Sequence, residues 1–158
     1  MNIVYATDGS ECAATAGRLL ASLPLPAETR ITVLCAVPES AWLATPPLGA
    51  EASVYPQVAE LAAEEEAAAL RAAESGAALL RERGVTVVTA MRRLNPVDAI
   101  LEQAHDDAAG LIVVGSHGMG AVERFLLGSV SERVARYAHC PVLVARGIGV
   151  HELVRVAR

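Results

Sequence analysis

Glycines and small hydroxyl residues between positions 115 and 131 offer the chemistry of anion binding. The segment reads GSHGMGAVERFLLGSVS, follows the apolar run GLIVV, and leads into the helical pattern ERVARYA. Glycine lets backbone N–H groups approach an anion closely, and the first turn of a helix supplies unpaired N–H donors at its positive end. A strand, a glycine-punctuated loop and a helix that begins at Ser129 therefore predict a phosphate-binding site.

The charged residues narrow the classes of function that fit. The net charge of -5 disfavours general nucleic-acid binding, which needs a basic face to neutralise phosphates. All 13 basic residues are arginine, so a P-loop and Schiff-base or pyridoxal phosphate chemistry, which need lysine, are excluded. Backbone N–H groups, helix dipoles, a metal ion or an arginine such as Arg124 must neutralise any bound triphosphate.

Composition and length indicate one folded domain in the cytoplasm. The chain has 158 residues, 53% of them hydrophobic, which argues against disorder. No apolar run reaches the roughly 18 residues of a membrane-spanning helix, and the N-terminus lacks the basic start of a signal peptide. Three cysteines without CxxC spacing predict neither a disulfide framework nor a zinc site.

Apolar, β-branched runs alternate with helical patterns along the chain. The predicted strands span 2–6, 31–37, 85–90, 110–114 and 142–145. The predicted helices run from an N-cap at Ser10 to about 23, from 57 to 83 before Gly84, from Pro96 to about 105, and from 129 to about 138. This alternation predicts a parallel sheet covered on both faces. The proline-rich segment 38–56, which contains Trp42, is predicted to be a long loop beside the site.

Three motifs in register resemble the ATP-binding branch of the universal stress protein family. They are VYATDGSE near the start, Gly115-x-x-Gly118 followed after nine residues by Gly128-Ser129, and CPVLVAR near the end. The resemblance implies an α/β fold with an open five-stranded parallel sheet in strand order 3-2-1-4-5 and helices on both faces, Rossmann-like and similar to the adenine nucleotide alpha hydrolases. It implies one domain over 1–146; the extension 147–158 is unusual for the family.

The resemblance also implies where a nucleotide binds, which metal ion accompanies it and which residues contact it. ATP is expected at the carboxyl ends of strands 1 and 4, where the strand order reverses, with Mg²⁺ or Mn²⁺ held mainly by the phosphates. The implied ATP-binding residues follow strands 1, 2 and 4 or begin the last helix: Ala6, Thr7, Asp8, Ala36, Val37, Val114, Gly115, His117, Gly118, Gly128, Ser129, Val130 and Ser131.

Several of these residues also have purely structural interpretations. Asp8 contacts base or ribose, holds a metal, or only forms an Asx-turn. Ser129 and Ser131 are nucleotide contacts, helix N-caps, or both. His117 contacts a phosphate or points to solvent. No catalytic residue is assigned, although slow ATP hydrolysis or autophosphorylation on Ser129 or Ser131 stays open.

The expected function is that of a nucleotide-dependent regulatory or stress-response module with an unknown regulatory partner. A homodimer through the fifth strand is expected, because an uncovered apolar edge invites pairing. The alternatives are a dimeric interaction protein of the same fold without nucleotide, and an ATP-using enzyme of the related superfamily. A dinucleotide-binding oxidoreductase is disfavoured, because the glycines read G-x-x-G-x-G after the fourth strand rather than G-x-G-x-x-G after the first.

Overall fold

The computed structural model describes residues 1–38, 55–117 and 127–146. In these ranges strands and helices alternate. In chain order they are β1 (Asn2–Ala6), α1 (Glu11–Ser22), β2 (Arg30–Ala36), α2 (Tyr55–Arg81), β3 (Thr86–Arg92), α3 (Pro96–Asp106), β4 (Leu111–Gly115), α4 (Ser129–Tyr137) and β5 (Val142–Ala145). Most of the predicted loop with Trp42, residues Gly118 and Arg124, and the C-terminal extension lie outside the described residues. None of the described helices is long and apolar enough to cross a membrane.

The five strands form one parallel sheet in the order β3-β2-β1-β4-β5, which confirms the predicted strand order. Every neighbouring pair is parallel, and β1 lies in the centre with Tyr5 opposite Val33 on β2 and Val113 on β4. Helices cover both faces of the sheet, so the central strands are apolar on both sides. This arrangement explains why the strands appear in the sequence as continuous apolar runs rather than as alternating patterns.

Alternate residues of each strand face two separate hydrophobic cores. Ile3 and Tyr5 pack on one face with residues of α1 and α2, whereas Val4 packs on the other face with residues of α3 and α4. The period of two follows from strand geometry, because successive side chains point to opposite faces. Helix α1 therefore leaves β1 on one face of the sheet, and α4 follows β4 on the other.

A buried tyrosine fixes the position of α1 against the sheet. The Tyr5 hydroxyl donates a hydrogen bond to the carbonyl oxygen of Ala13 at 2.7 Å. Its ring lies against Gly17 and Gly76, where an added Cβ would come within 2.8 Å and 2.9 Å of Tyr5 atoms, respectively. Burial raises the pKa of this hydroxyl above its ordinary value, so it stays a neutral donor. The contact holds the N-terminal turn of α1 close to the end of β1.

The helix ends follow from local capping, with small shifts from the predicted bounds. Helix α1 is capped by Ser10 as predicted, and Asn95 accepts from the N–H of Asp98 at the start of α3. Gly84, with φ +73°, follows α2 in the left-handed conformation that favours glycine. Helix α2 begins at Tyr55, two residues before the predicted start, and includes Pro56 in its first turn. Proline is tolerated there, because the backbone N–H groups of a first turn have no acceptor within the helix and the missing N–H of proline costs no hydrogen bond.

Candidate functional site

A cleft of about 410 Å³ opens at the carboxyl ends of β1 and β4. The strand order reverses there, since β1 pairs with β2 on one side and with β4 on the other. Helices α1 and α4 then leave toward opposite faces of the sheet, so a crevice remains between them. The volume lies in the range of about 300 to 1,000 Å³ that small-molecule sites occupy.

Most of the sequence-predicted site residues meet in this cleft. Those that line it are Ala6, Thr7, Asp8, Ala36, Val114, Gly115, His117, Gly128, Ser129, Val130 and Ser131. Val37 is not among them: it is buried, and its N–H donates to the carbonyl oxygen of Arg92 at 2.9 Å. Gly118 lies outside the described residues.

Four lining residues were not predicted from the sequence. Leu34 on β2, Pro96 and Ile100 on α3, and Ala13 on α1 also line the cleft. Leu34, Ala36, Ile100 and Val114 pack on the same face of the sheet and make that side of the cleft apolar. No local motif marks the four additional residues. For Pro96 and Ile100 the available signal was the topology, because α3 packs on the same face of the sheet as α4.

The N-terminus of α4 presents backbone donors to the cleft. Its N-cap is Gly128, which has no side chain to accept a hydrogen bond, whereas α1 and α3 are capped by serine and asparagine oxygens. The N–H groups of the first turn, at Ser129, Val130 and Ser131, have no acceptor within the helix. These N–H groups and the positive end of the helix dipole form a site that favours an anion.

Hydrogen bonds of Ser116 connect the start of α4 to the end of β4. Its N–H donates to the carbonyl oxygen of Ala145 at 2.7 Å, and its carbonyl oxygen accepts from the N–H of Gly128 at 2.7 Å. The same carbonyl accepts from the hydroxyl of Ser131 at 2.9 Å, and this hydroxyl also lies 2.9 Å from the carbonyl oxygen of Gly128. The Ser131 hydroxyl is thus engaged within the fold.

Two glycines of the motif serve close packing. A Cβ on Gly115 would lie 2.7 Å from the backbone nitrogen of Ala13 and 2.7 Å from the carbonyl carbon of Cys12. A Cβ on Gly128 would lie 2.9 Å from the carbonyl oxygen of Ser116. The first glycine lets α1 approach β4, and the second lets α4 begin directly beside the strand end. Both contacts keep the cleft narrow at its base.

The turn between β1 and α1 brings Asp8 to the cleft. A carboxylate oxygen of Asp8 accepts from the N–H of Ser10 at 3.0 Å, and the hydroxyl of Thr7 accepts from the N–H of Gly9 at 3.2 Å. Gly9 has φ +82°, a conformation that a residue with a side chain rarely adopts. The Asx-turn interpretation of Asp8 therefore holds, and the same residue also lines the cleft.

The described lining carries little charge of its own. Of the described residues that line the cleft, only Asp8 carries a formal charge, and none is an arginine or a lysine. The described part of the chain also has no group of three or more His, Cys, Asp or Glu side chains able to hold a metal ion. The N-terminus of α4 is thus a source of positive potential in the described part of the site.

Comparisons with known proteins agree with this architecture. The sequence model of the Universal stress protein family matches residues 1–146. A universal stress protein of Methanocaldococcus jannaschii is 35% identical over 144 residues, which cover 91% of this chain and 81% of the relative.

Solved structures share the fold over nearly the whole chain. The hypothetical protein MJ0577 has a TM-score of 0.77 at 26% identity, over 93% of this chain and 96% of its own. The universal stress protein of Archaeoglobus fulgidus in complex with dAMP has a TM-score of 0.60 at 21% identity, over 92% of this chain and 97% of its own. Other structures of this fold contain AMP or cAMP. The family match and the curated relative show that this chain belongs to the universal stress protein family.

Proposed function

We propose that this chain binds ATP in the cleft, together with Mg²⁺ or Mn²⁺, and acts as a nucleotide-dependent regulatory or stress-response module. The observation that carries the proposal is the uncapped N-terminus of α4, which presents first-turn N–H groups to a cleft of about 410 Å³. The adenine nucleotides bound by related universal stress proteins support it.

The two walls of the cleft suggest an orientation for the nucleotide. Leu34, Ala36 and Ile100 form an apolar wall that suits the faces of an adenine ring. The first turn of α4, from Ser129, lies on the other side and suits the phosphates. Asp8, at the end of β1, is placed to accept a hydrogen bond from a ribose hydroxyl. This orientation uses apolar burial for the base and backbone donors for the anion.

A divalent cation fits this lining. A triphosphate carries several negative charges, and the described cleft residues offer helix dipoles and N–H groups but no cationic side chain. Mg²⁺ prefers oxygen ligands and commonly binds through phosphates and one or two carboxylates. The phosphate oxygens would mainly hold the metal; a carboxylate ligand from Asp8 is the alternative to its contact with the ribose. Such a cation reduces the charge that the N–H groups must stabilise.

Calorimetry tests the ligand. Protein freed of endogenous nucleotide is expected to bind ATP more tightly with Mg²⁺ or Mn²⁺ than without, and ATP more tightly than GTP, because the wall around Ala36 is apolar. Titrations of each nucleotide, with and without metal, provide the comparison, and mass spectrometry of the nucleotide released on denaturation identifies the endogenous ligand. Absence of binding heat for ATP at millimolar concentration contradicts the proposal.

We further propose that two copies pair through β5. This strand is one edge of the sheet, and Val142, Leu143 and Val144 on it are partly exposed in the single chain. An exposed apolar edge has unpaired backbone groups and apolar side chains that a second copy can cover. Nucleotide-dependent changes near the cleft would then reach a regulatory partner through a dimer.

Arginine substitutions on the edge strands test the pairing. Val142→Arg or Val144→Arg is expected to give monomers at tens of micromolar protein, because a charge would have to be buried in the interface. Val88→Arg on β3, the opposite edge, is a matched control, since Val88 is also a partly exposed valine on an edge strand. Light scattering measures the mass. A wild-type monomer, or dissociation by Val88→Arg alone, contradicts pairing through β5.

A further inference from the structure

The imidazole of His117 is held by the residue before it. The hydroxyl oxygen of Ser116 lies 3.1 Å from Nδ1 of His117. Ser116 is only 2% exposed, and its backbone N–H and carbonyl are both hydrogen-bonded, so its backbone is held in place. His117 is partly buried and lines the cleft. The carbonyl oxygen of His117 also lies 3.4 Å from the hydroxyl of Ser10, which caps α1.

Burial favours one direction for the hydrogen bond between Ser116 and His117. A buried hydroxyl hydrogen without an acceptor costs about 1 to 3 kcal/mol. Within the described residues, Nδ1 of His117 is the hydrogen-bond partner of the Ser116 hydroxyl. Donation from the hydroxyl to the lone pair of Nδ1 satisfies that hydrogen. In a neutral imidazole whose Nδ1 is an acceptor, Nε2 carries the hydrogen.

We propose that Ser116 is a positioning residue that holds His117 as the Nε2–H tautomer, so that Nε2–H donates to a phosphate or ribose oxygen of the bound nucleotide. Nε2 is the ring nitrogen not engaged by the buried serine, on a residue that lines the cleft. A neutral N–H donor suits an anionic oxygen next to the N–H groups of α4. This inference rests on the proposed nucleotide function, since the nucleotide supplies the acceptor.

The pair adds a donor that a metal ion does not replace. The described cleft lining contains no lysine or arginine, so each N–H group that points at the phosphates matters. The Ser10 hydroxyl, from the loop after β1, contacts the backbone of His117, and Ser116 contacts its ring. The backbone of His117 is therefore held from one direction and its ring from another, and less side-chain entropy is lost when the ring donates to a ligand.

Nitrogen NMR tests the tautomer without any ligand. In protein with ¹⁵N-labelled histidine, His117 is expected to show Nε2 protonated and Nδ1 as a hydrogen-bond acceptor above the pH at which imidazole is protonated. Ser116→Ala is expected to shift the Nδ1 resonance toward that of a solvent-exposed imidazole. A spectrum with Nδ1 protonated, or a Nδ1 resonance unchanged by Ser116→Ala, overturns the proposal even if the protein binds no nucleotide.

Amide substitutions test the role of the donor in binding. The amide nitrogen of glutamine reaches the position of Nε2, whereas asparagine reaches only that of Nδ1. His117→Asn is expected to weaken ATP binding about tenfold, the loss of one hydrogen bond to a charged group. His117→Gln is expected to retain more of the affinity than His117→Asn. Equal losses in the two variants contradict donation from the Nε2 position.

A double-mutant cycle separates positioning from general loss of structure. Ser116→Ala is expected to weaken ATP binding about tenfold in the wild-type background and to have almost no effect in the His117→Asn background. Ser22→Ala is the control, because it removes an exposed serine hydroxyl that donates to Leu19 at the end of α1. Equal effects of Ser116→Ala in both backgrounds overturn the proposal. A wild type that binds no ATP instead refutes the proposed function, and the NMR result still decides the tautomer.

Discussion

Replacement of Gly115 by alanine is expected to lower the free energy of unfolding by about 3 kcal/mol, a large effect for one methyl group. The added Cβ would lie 2.7 Å from backbone atoms of Cys12 and Ala13, and backbone atoms yield less readily than the end of a flexible side chain. Helix α1 cannot retreat freely, because the Tyr5 hydroxyl holds its first turn through the carbonyl oxygen of Ala13. The strain therefore appears as lost stability and a wider cleft.

Gly110→Ala is the matched control for this experiment. Gly110 precedes β4 as Gly115 ends it, but its added Cβ would meet the Met1 side chain at 3.5 Å, an ordinary contact. Denaturant unfolding of both variants measures the difference, and Gly110→Ala is expected to change the unfolding free energy by less than about 1 kcal/mol. Equal stability of the two variants would show that the approach of α1 to β4 does not depend on the glycine.

The fold was predictable because its signals are local and repeated. The runs at Asn2–Ala6 and Val142–Ala145 are bounded by turn residues and match the observed strands residue for residue. Strand β3 extends two residues beyond the predicted end, to Arg92. The sequence of its last residues has no apolar pattern that distinguishes them from a loop. Their pairing with β2, up to Ala36, keeps them extended. Such tertiary pairing is not visible in a local pattern.

The candidate site was predictable where its residues lie at the ends of strands or at the start of the last helix. Asp8 and Ser129 follow strand ends and could be placed from the sequence. Leu34, Pro96 and Ile100 reach the cleft because β2 and α3 pack beside β1, a juxtaposition that spacing along the chain does not encode. Contact of Val37 with the nucleotide stays a prediction, because its N–H donates to the carbonyl oxygen of Arg92 and it is not among the residues that line the described cleft.

The glycines of the motif have two physical roles, contact with a ligand and close packing within the protein, which the sequence does not distinguish. Glycine in a phosphate loop suggests close approach of backbone to ligand. At Gly115 and Gly128 the structure shows close approach of backbone to the protein's own backbone. From the sequence alone, all glycines of the motif are expected to form one phosphate cradle. Their substitutions are therefore expected to separate into losses of stability and losses of binding.

Gly118 is the position where loss of binding is expected without comparable loss of stability. It lies outside the described residues, directly after His117, which lines the cleft. The resemblance to the ATP-binding branch implies that its backbone contacts the phosphates, and any Cβ there would block close approach. Gly118→Val is expected to weaken ATP binding at least about a hundredfold, or about 2.7 kcal/mol, while the protein stays folded.

Two measurements on the same samples decide this prediction. Calorimetry with ATP and Mg²⁺ gives the affinity, and denaturant unfolding without nucleotide gives the stability, with Gly115→Ala as the reference for a glycine that acts through packing. The expected pattern is loss of binding at nearly wild-type stability for Gly118→Val, against loss of stability for Gly115→Ala. If Gly118→Val binds ATP as tightly as the wild type, the loop after β4 does not contact the phosphates, and the first turn of α4 must hold them without it.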